Sequence, residues 1–151
     1  MKKFVLIIVT LILSITLVGC GSKNVEGKLE DLMTKVYSTL KEEETPMMLT
    51  NIEITEENIE GYLGTTEIEY EEALASESAT GSIAHSVVLL RVKDNANVEE
   101  IKEKIKNSVN PRKWICVEAE EVKIESKGNL ILLVMSNKVA TDKIVTEFNN
   151  L

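Results

Sequence analysis

The longest apolar run of the chain lies near its N-terminus and is too short for a permanent membrane span. Residues 4–18 carry no charged side chain and directly follow Lys2 and Lys3. A helix that crosses a bilayer needs roughly 20 apolar residues. A charged start, a short apolar core and small residues at the exit are typical of a secretory signal. The run is therefore expected to be cleaved off and to take no part in the folded domain.

The end of this run carries a recognisable four-residue motif. Leu17-Val18-Gly19-Cys20 resembles the lipobox of bacterial lipoproteins. In that class of protein the cysteine thiol receives a diacylglyceryl group, and a peptidase cuts the chain just before the cysteine. A small residue before the cysteine lets the protease approach the backbone. Two or more acyl chains then give stable anchoring, which one chain does not.

These features predict the organisation of the whole chain. We predict a lipoprotein signal peptide over residues 1–19, lipidation at Cys20 with a short tether over residues 20–27, and a single domain over residues 28–151. Because both lysines precede the apolar run, the domain is expected on the outer face of the cytoplasmic membrane. The alternative is an uncleaved anchor helix, which would give the same location.

The charge of the predicted mature chain bears on its partners. Cleavage before Cys20 leaves 132 residues with 15 basic and 25 acidic side chains, a net charge of −10. Nucleic acid requires a basic footprint, and anionic lipid headgroups attract basic segments, so this acidic surface argues against both. The length suits one domain and is sufficient to bury a core without disulfides. If Cys20 is lipidated, Cys116 has no intramolecular partner.

Hydrophobic spacing in the first half predicts an amphipathic helix followed by short elements. Apolar residues recur three and four positions apart, as in a helix with one buried face: Val25, Leu29, Leu32, Met33, Val36 and Leu40. Pro46 prevents further helix. The following stretches are predicted as a short strand at 51–54, a brief helix at 55–62, an exposed strand at 66–75 and a turn at 76–82.

The second half completes two rounds of strand, strand and helix. Residues 83–92 are apolar on both faces and predict a central strand, and Asn97 is an expected N-cap. The remaining elements are a helix at 97–109, strands at 114–125 and 130–135 joined by a turn at 126–129, and a helix at 137–148. We predict the α+β class, with an antiparallel sheet of four to five strands and helices packed on one face.

Two residues are weak candidates for catalysis, and for each a structural role competes. His85 is the only histidine and can serve as a base or a ligand, but a lone histidine on a central strand is more often structural. Cys116 lies between two β-branched residues on a predicted strand, which favours a buried, inert thiol. Arg112 and Lys113 are the nearby cations that would be needed to activate it.

No metal or cofactor is predicted. A structural zinc site needs about four Cys and His ligands, which the mature chain cannot supply. The stretch DNANVEE at 94–100 gathers oxygen ligands but departs from the EF-hand pattern, because Ala96 and Val98 occupy ligand positions and the glycine is missing. A turn followed by a helix cap accounts for these residues.

The stretch NPRKW at 110–114 is the strongest candidate for binding a partner. It places Arg112, Lys113 and Trp114, the only tryptophan, together in an acidic chain. Arginine and tryptophan are enriched where proteins bind partners, and arginine can hold a carboxylate with two parallel hydrogen bonds. The competing interpretation is a turn between helix and strand whose tryptophan covers the core.

Three stretches together resemble a known family. They are AHSVVLLRVKD at 84–94, NPRKWICV at 110–117 and LILLVMS at 130–136. They are similar to a family of uncharacterised lipoproteins from Gram-positive bacteria, catalogued as domain-of-unknown-function family 4358, over roughly residues 29–136. The resemblance implies an anchored extracytoplasmic domain. It implies no activity, so no catalytic residue is carried over.

The expected function is a non-enzymatic binding or interaction module of the cell envelope. It would be held to the membrane by lipid on Cys20 and would bind an envelope protein or small ligand through Arg112, Lys113 and Trp114. The alternative is a thiol-dependent enzyme or redox sensor that uses Cys116, with His85 assisting the thiol.

Overall fold

The computed structural model describes residues 23–151. The predicted signal peptide over residues 1–19 and the predicted lipidation site Cys20 lie outside this range. Within it, no helix combines the length and apolar character that a membrane crossing requires.

Over the described residues, five antiparallel strands form one sheet with four α-helices around it. The order across the sheet is β1-β2-β3-β5-β4, so β3 is the central strand, as predicted for residues 83–92. The strands are β1 Leu49–Glu53, β2 Glu72–Ser78, β3 Ser86–Arg91, β4 Glu121–Lys127 and β5 Leu130–Ser136. The helices are α1 Leu29–Val36, α2 Ile59–Leu63, α3 Val98–Ser108 and α4 Lys138–Asn150.

Helices cover both faces of the sheet, so the predicted packing on one face is wrong. Helices α1 and α4 pack with Val87, Leu89 and Leu132 on one side, called here the α1/α4 face. Helices α2 and α3 pack with Val88 and Leu133 on the other, the α2/α3 face. The reason lies in β3 and β5, which are apolar at consecutive positions and would expose half of those side chains if one face stayed open. The α+β class and the antiparallel sheet are confirmed.

Several predicted boundaries are confirmed by local contacts. Asn97 caps α3, because its side-chain Oδ1 accepts a hydrogen bond from the Glu100 amide at 3.2 Å. Asn137 caps α4 in the same way through the Ala140 amide at 2.9 Å. The four central residues of the predicted N-terminal stripe are buried in α1: Leu29, Leu32, Met33 and Val36.

The strand predicted at 114–125 begins only at Glu121. Cys116 has a φ angle of +61°, a left-handed conformation that a strand cannot contain. Residues 111–119 instead form a loop that is closed by a 2.9 Å hydrogen bond from the Ala119 amide to the Pro111 carbonyl.

The strand predicted at 66–75 is shifted toward the C-terminus. β2 covers Glu72–Ser78, so the first part of the predicted turn at 76–82 is strand. Ser76 and Ser78 are buried. Their small polar side chains suggested a turn, although they line the sheet. Ile68 is buried as well, but in the segment that leads into β2.

Gly64 ends α2 at a position where no other residue fits. Its φ angle is +73°, and an added Cβ would lie 2.1 Å from the carbonyl oxygen of Ser108 at the end of α3. The replacement Gly64→Ala is therefore expected to lower the free energy of unfolding by about 2–4 kcal/mol through backbone strain and overpacking. Urea denaturation followed by circular dichroism measures this change.

Gly61 in the same helix provides the matched control. An added Cβ there meets nothing within 4 Å, so Gly61→Ala is expected to stabilise the protein by roughly 0.5–1 kcal/mol. Equal effects of the two replacements would contradict the proposed contact between α2 and α3.

Candidate interaction surface

Two of the three predicted partner-binding residues are held inside the protein by one carboxylate. Glu77 of β2 accepts a 3.1 Å hydrogen bond from Trp114 Nε1 and pairs with Lys113 Nζ at 3.0 Å. The side chains of Glu77 and Lys113 are only 16% and 17% exposed. The Lys113 ammonium also lies 4.7 Å from the ring centroid of Tyr62 and donates to the Gly61 carbonyl. Lys113 and Trp114 thus fasten the loop to β2 and α2.

Arg112 points the other way, into solvent. Its guanidinium pairs with Glu118 across the loop at 3.0 Å, and its side chain is 76% exposed. The three residues of the predicted cluster are therefore not one surface. Only Arg112 remains available to a partner.

Cys116 is exposed, so the predicted buried thiol is wrong. The prediction rested on a strand that is absent at this position. The neighbouring Ile115 is exposed too, and its amide donates a 2.8 Å hydrogen bond to the Gly81 carbonyl. This bond places the tip of the 111–119 loop against the connection between β2 and β3.

Exposed apolar side chains flank this connection on both sides. Met47 and Met48 are each 68% exposed, and Ile115 is 72% exposed. Met48 lies on one side of Thr80, whose hydroxyl reaches the Met48 sulfur at 3.7 Å, while Ile115 contacts Gly81. We call Met47, Met48 and Ile115 the methionine patch. In the sequence, the methionine patch is marked by two adjacent methionines after Pro46, a pattern that hydrophobic periodicity does not explain.

The methionine patch is built on strained backbone. Among the described residues, the positive φ angles outside glycine belong to Met48 at +56° and Cys116 at +61°. Both lie beside the same short connection, and the Met48 carbonyl accepts a 3.0 Å hydrogen bond from the Ala79 amide. Such conformations are costly for ordinary residues and concentrate at ligand clamps and other functional positions.

His85 lies in a buried hydrogen-bonded network. Its Nε2 is 2.6 Å from the Tyr37 hydroxyl and its Nδ1 is 2.7 Å from Ser136 Oγ. A neutral imidazole donates through one nitrogen and accepts through the other, so the two hydroxyls take opposite roles. Tyr37 also bonds to Ser76, and burial raises the pKa of Tyr37 far above its usual value.

This network connects secondary structure elements and cannot reach a substrate. His85 and Ser136 are both fully buried, so a serine beside a histidine does not make an accessible nucleophile here. Both ring nitrogens of His85 already have partners, which leaves neither for Cys116. The network ties the end of α1 to β2, β3 and β5, and sequence spacing gave no sign of it.

The described residues offer no evident metal centre. Within residues 23–151, no three side chains of the types His, Cys, Asp and Glu come together in a way that could hold a metal ion. The stretch at 94–100 serves the cap of α3 and a hydrogen bond from Asn24 Nδ2 to Asp94 Oδ1 at 2.8 Å.

No family model matches the chain, and no curated protein or solved structure was found to match it. The resemblance to the lipoprotein family stays a prediction.

The His85 network is expected to make the fold sensitive to acid. Burial lowers the pKa of His85 to about 4, from an ordinary value of 6.5. The unfolded chain therefore binds an extra proton between these values, and stability contributed by the neutral histidine is lost as pH falls from about 6.5 to about 4. The loss amounts to about 3 kcal/mol, at about 1.4 kcal/mol per pKa unit.

Urea denaturation at pH 7 and pH 4 measures this loss against a His85→Gln control, which keeps a donor and an acceptor but does not titrate. The other titrating groups are common to both proteins, so the difference in slope isolates His85. Identical pH profiles would contradict the assignment.

The Glu77 carboxylate is expected to hold the loop closed. Glu77→Ala removes the acceptor of Trp114 and the partner of Lys113, so it should cost about 1–3 kcal/mol. The emission of the single tryptophan should also shift to longer wavelength as the indole meets water. The control is Glu118→Ala, which breaks the exposed pair with Arg112 and should cost less than about 1 kcal/mol. An unshifted emission in Glu77→Ala would show that other contacts hold the loop.

Proposed function

We propose that this protein is a lipid-anchored, non-enzymatic binding module of the cell envelope that contacts a protein partner through the methionine patch. The observation that carries the proposal is the exposure of Met47, Met48 and Ile115 around the connection between β2 and β3. Met48 and Cys116, beside that connection, have left-handed backbone conformations. Clustered exposed apolar side chains mark interaction sites.

The chemistry of the methionine patch suits a partner with an apolar contact surface. Methionine is flexible and polarisable, so it adapts to irregular apolar partners. Arg112 lies in the same loop as Ile115 and can form polar contacts at the rim, where it would exchange Glu118 for a carboxylate of the partner. This proposal keeps Arg112 from the predicted cluster and assigns Lys113 and Trp114 to support of the loop.

The lipid anchor is supported by the sequence alone. The motif that ends in Cys20 follows a short apolar run and two lysines. Mass spectrometry of the mature N-terminus tests it directly, and a chain that begins at Met1 with a free Cys20 thiol would refute the anchor.

The binding proposal is tested with Met48→Asn/Ile115→Asn. Asparagine tolerates the left-handed conformation at position 48, so the fold should survive while two apolar contacts are lost. Removing them is expected to weaken binding at least about 10-fold, since burying each apolar side chain contributes about 1.5–3 kcal/mol. The partner is identified by cross-linking in native membranes, purified, and titrated against both proteins.

Val139→Asn is the matched control. Val139 is also exposed, at 53%, but it lies on α4 and does not belong to the methionine patch. It should bind the partner normally. If the double variant binds as well as the control, the methionine patch is not the contact surface.

The exposure of Cys116 favours a second candidate, a thiol-dependent enzyme or redox sensor. The variant Cys116→Ser separates the two within the same titration. If the protein is a binding module, the Cys116→Ser variant still binds the partner. If the linkage depends on the thiol, Cys116→Ser loses the partner and Met48→Asn/Ile115→Asn retains it.

A further inference from the structure

Strand β4 lies at one edge of the sheet and has a free side. Over the described residues it pairs with β5 alone, in the register that sets Glu121 opposite Ser136 and Lys127 opposite Leu130. No loop or helix of residues 23–151 forms a backbone hydrogen bond with its outer side. Such an edge is a template on which another strand can pair.

The turn after β4 determines which of its backbone groups face outward. Two residues, Gly128 and Asn129, connect Lys127 to Leu130. In a two-residue hairpin the flanking residues form a hydrogen-bonded pair, and such pairs alternate along an antiparallel ladder. The odd-numbered residues of β4 therefore bond to β5. The even-numbered residues direct their amides and carbonyls to the free edge: Val122, Ile124 and Ser126.

The charges of β4 match those of a second β4 laid antiparallel to it. The strand reads EVKIESK, with Ile124 at its centre. When Ile124 faces the same residue of a second copy, Glu121 lies opposite Lys127 and Lys123 lies opposite Glu125, and each match occurs twice. The outward backbone groups are then aligned, and the charged residues occupy the non-hydrogen-bonded pairs, in which side chains lie closer together.

Neighbouring registers are repelled. A shift by two residues keeps the backbone groups aligned but sets like charges against each other. In one direction Glu121 faces Glu125 and Lys123 faces its own copy, and in the other Lys123 faces Lys127 and Glu125 faces its own copy. Like charges directly opposite are destabilising. The sequence of β4 thus specifies one register with a copy of itself.

The charges around the two ends of β4 preserve this match. Near Glu121, Lys138 is shared with Asp142, at distances of 3.7 Å and 2.9 Å respectively. Glu120 adds a third carboxylate, which accepts a hydrogen bond from the Lys138 amide. At the other end, Lys127 donates to a backbone carbonyl of α4 and not to a carboxylate. One end is therefore acidic where the other offers an ammonium.

Charges at longer range do not decide the contact. The groove between β4 and α3 is lined by two ion pairs within the helix, Lys102 with Glu99 at 3.0 Å and Lys106 with Glu103 at 3.5 Å, so α3 adds no net charge there. The described residues carry a net charge of −10, which opposes association. Salt screens such repulsion beyond about 8 Å, whereas directly opposite side chains lie about 4.5–5.5 Å apart.

The chain that enters the domain does not occupy the free edge. The Arg91 guanidinium, at the end of β3, donates hydrogen bonds to the carbonyls of Val25 and Gly27, the second at 2.6 Å. The side chain of Val25 is buried in the core of the α1/α4 face. Residues 23–27 are thus fixed to the end of the sheet and are not paired with β4.

We propose that two copies of this chain associate through antiparallel β4 strands, with Ile124 at the two-fold axis and the two five-stranded sheets joined into one. Backbone hydrogen bonds from the even-numbered residues hold the copies together, and the charged residues select the partner and the register. The inference goes beyond the proposed function and depends on neither the methionine patch nor the anchor.

Charge complementation tests this pairing. Lys123→Glu places two glutamates opposite each other twice, and Glu125→Lys does the same with lysines. Each variant is expected to bind its own copy at least about 10-fold more weakly than the unchanged chain binds itself. A mixture of the two variants restores both pairs and should regain the original affinity. The full chain is produced with two different affinity tags and purified in mild detergent, and capture of one tagged form by the other is titrated.

Lys28→Glu is the matched control, since it makes the same charge change at an exposed position outside β4 and should leave self-association intact. Recovery in the mixture also shows that both variants are folded. The proposal is overturned if unchanged copies do not capture each other, if Lys123→Glu captures itself as well as the control does, or if the mixture of variants regains no affinity.

Disulfide formation tests the register. In a Cys116→Ser background, Ile124→Cys should form a cross-linked dimer on oxidation, because the Cα atoms of such a pair lie about 5.5 Å apart, within the range of a disulfide. The control is Asn51→Cys at the centre of β1, the other edge strand, whose only charged residue is Glu53. Equal cross-linking at the two positions would overturn the assignment to β4.

Discussion

The structure depends on the pairing of β3 with β5, two strands that are buried from both faces. All seven residues of β5 are buried, and β3 is buried from Ser86 to Leu90. Strands of this composition cannot form the outer layer of a two-layer fold, because one apolar face would be left in water. The helices are thereby distributed between two layers, with α1 and α4 on one side and α2 and α3 on the other.

The two ends of the sheet differ in the contacts that they make. One end of β3 carries Arg91 and holds the entering chain, while the other leads into the buried His85 network and the connection beside the methionine patch. Polar side chains lie at both ends of the inner strands, where Ser136 bonds to His85 at one end and Arg91 pairs with Glu72 at the other. Among the described residues, positive φ angles outside glycine occur at Met48 and Cys116, which are not part of the inner strands.

Periodic features were predictable from sequence, and pairwise ones were not. The spacing of Leu29, Leu32 and Val36, and the cap at Asn97, each reflect a local rule that one segment satisfies by itself. The 111–119 loop could not be recognised in this way, because its run of apolar residues at 114–117 imitates a buried strand. What decides its shape is Glu77, a residue from another strand that draws in Lys113 and Trp114. The surface placement of Cys116 follows from that tertiary contact.

The methionine patch was not predicted for a related reason. Whether an apolar residue is exposed depends on the residues that pack around it, which sequence spacing does not show.

The way the entering chain joins the sheet has a mechanical consequence. A pull on residues 23–27 is received by Arg91 at the end of β3, and β3 has hydrogen-bonded neighbours on both sides, β2 and β5. The load would be shared by two ladders of backbone bonds and could not peel an edge strand away one bond at a time. Traction along the entering chain would thus be resisted by the central strand of the sheet.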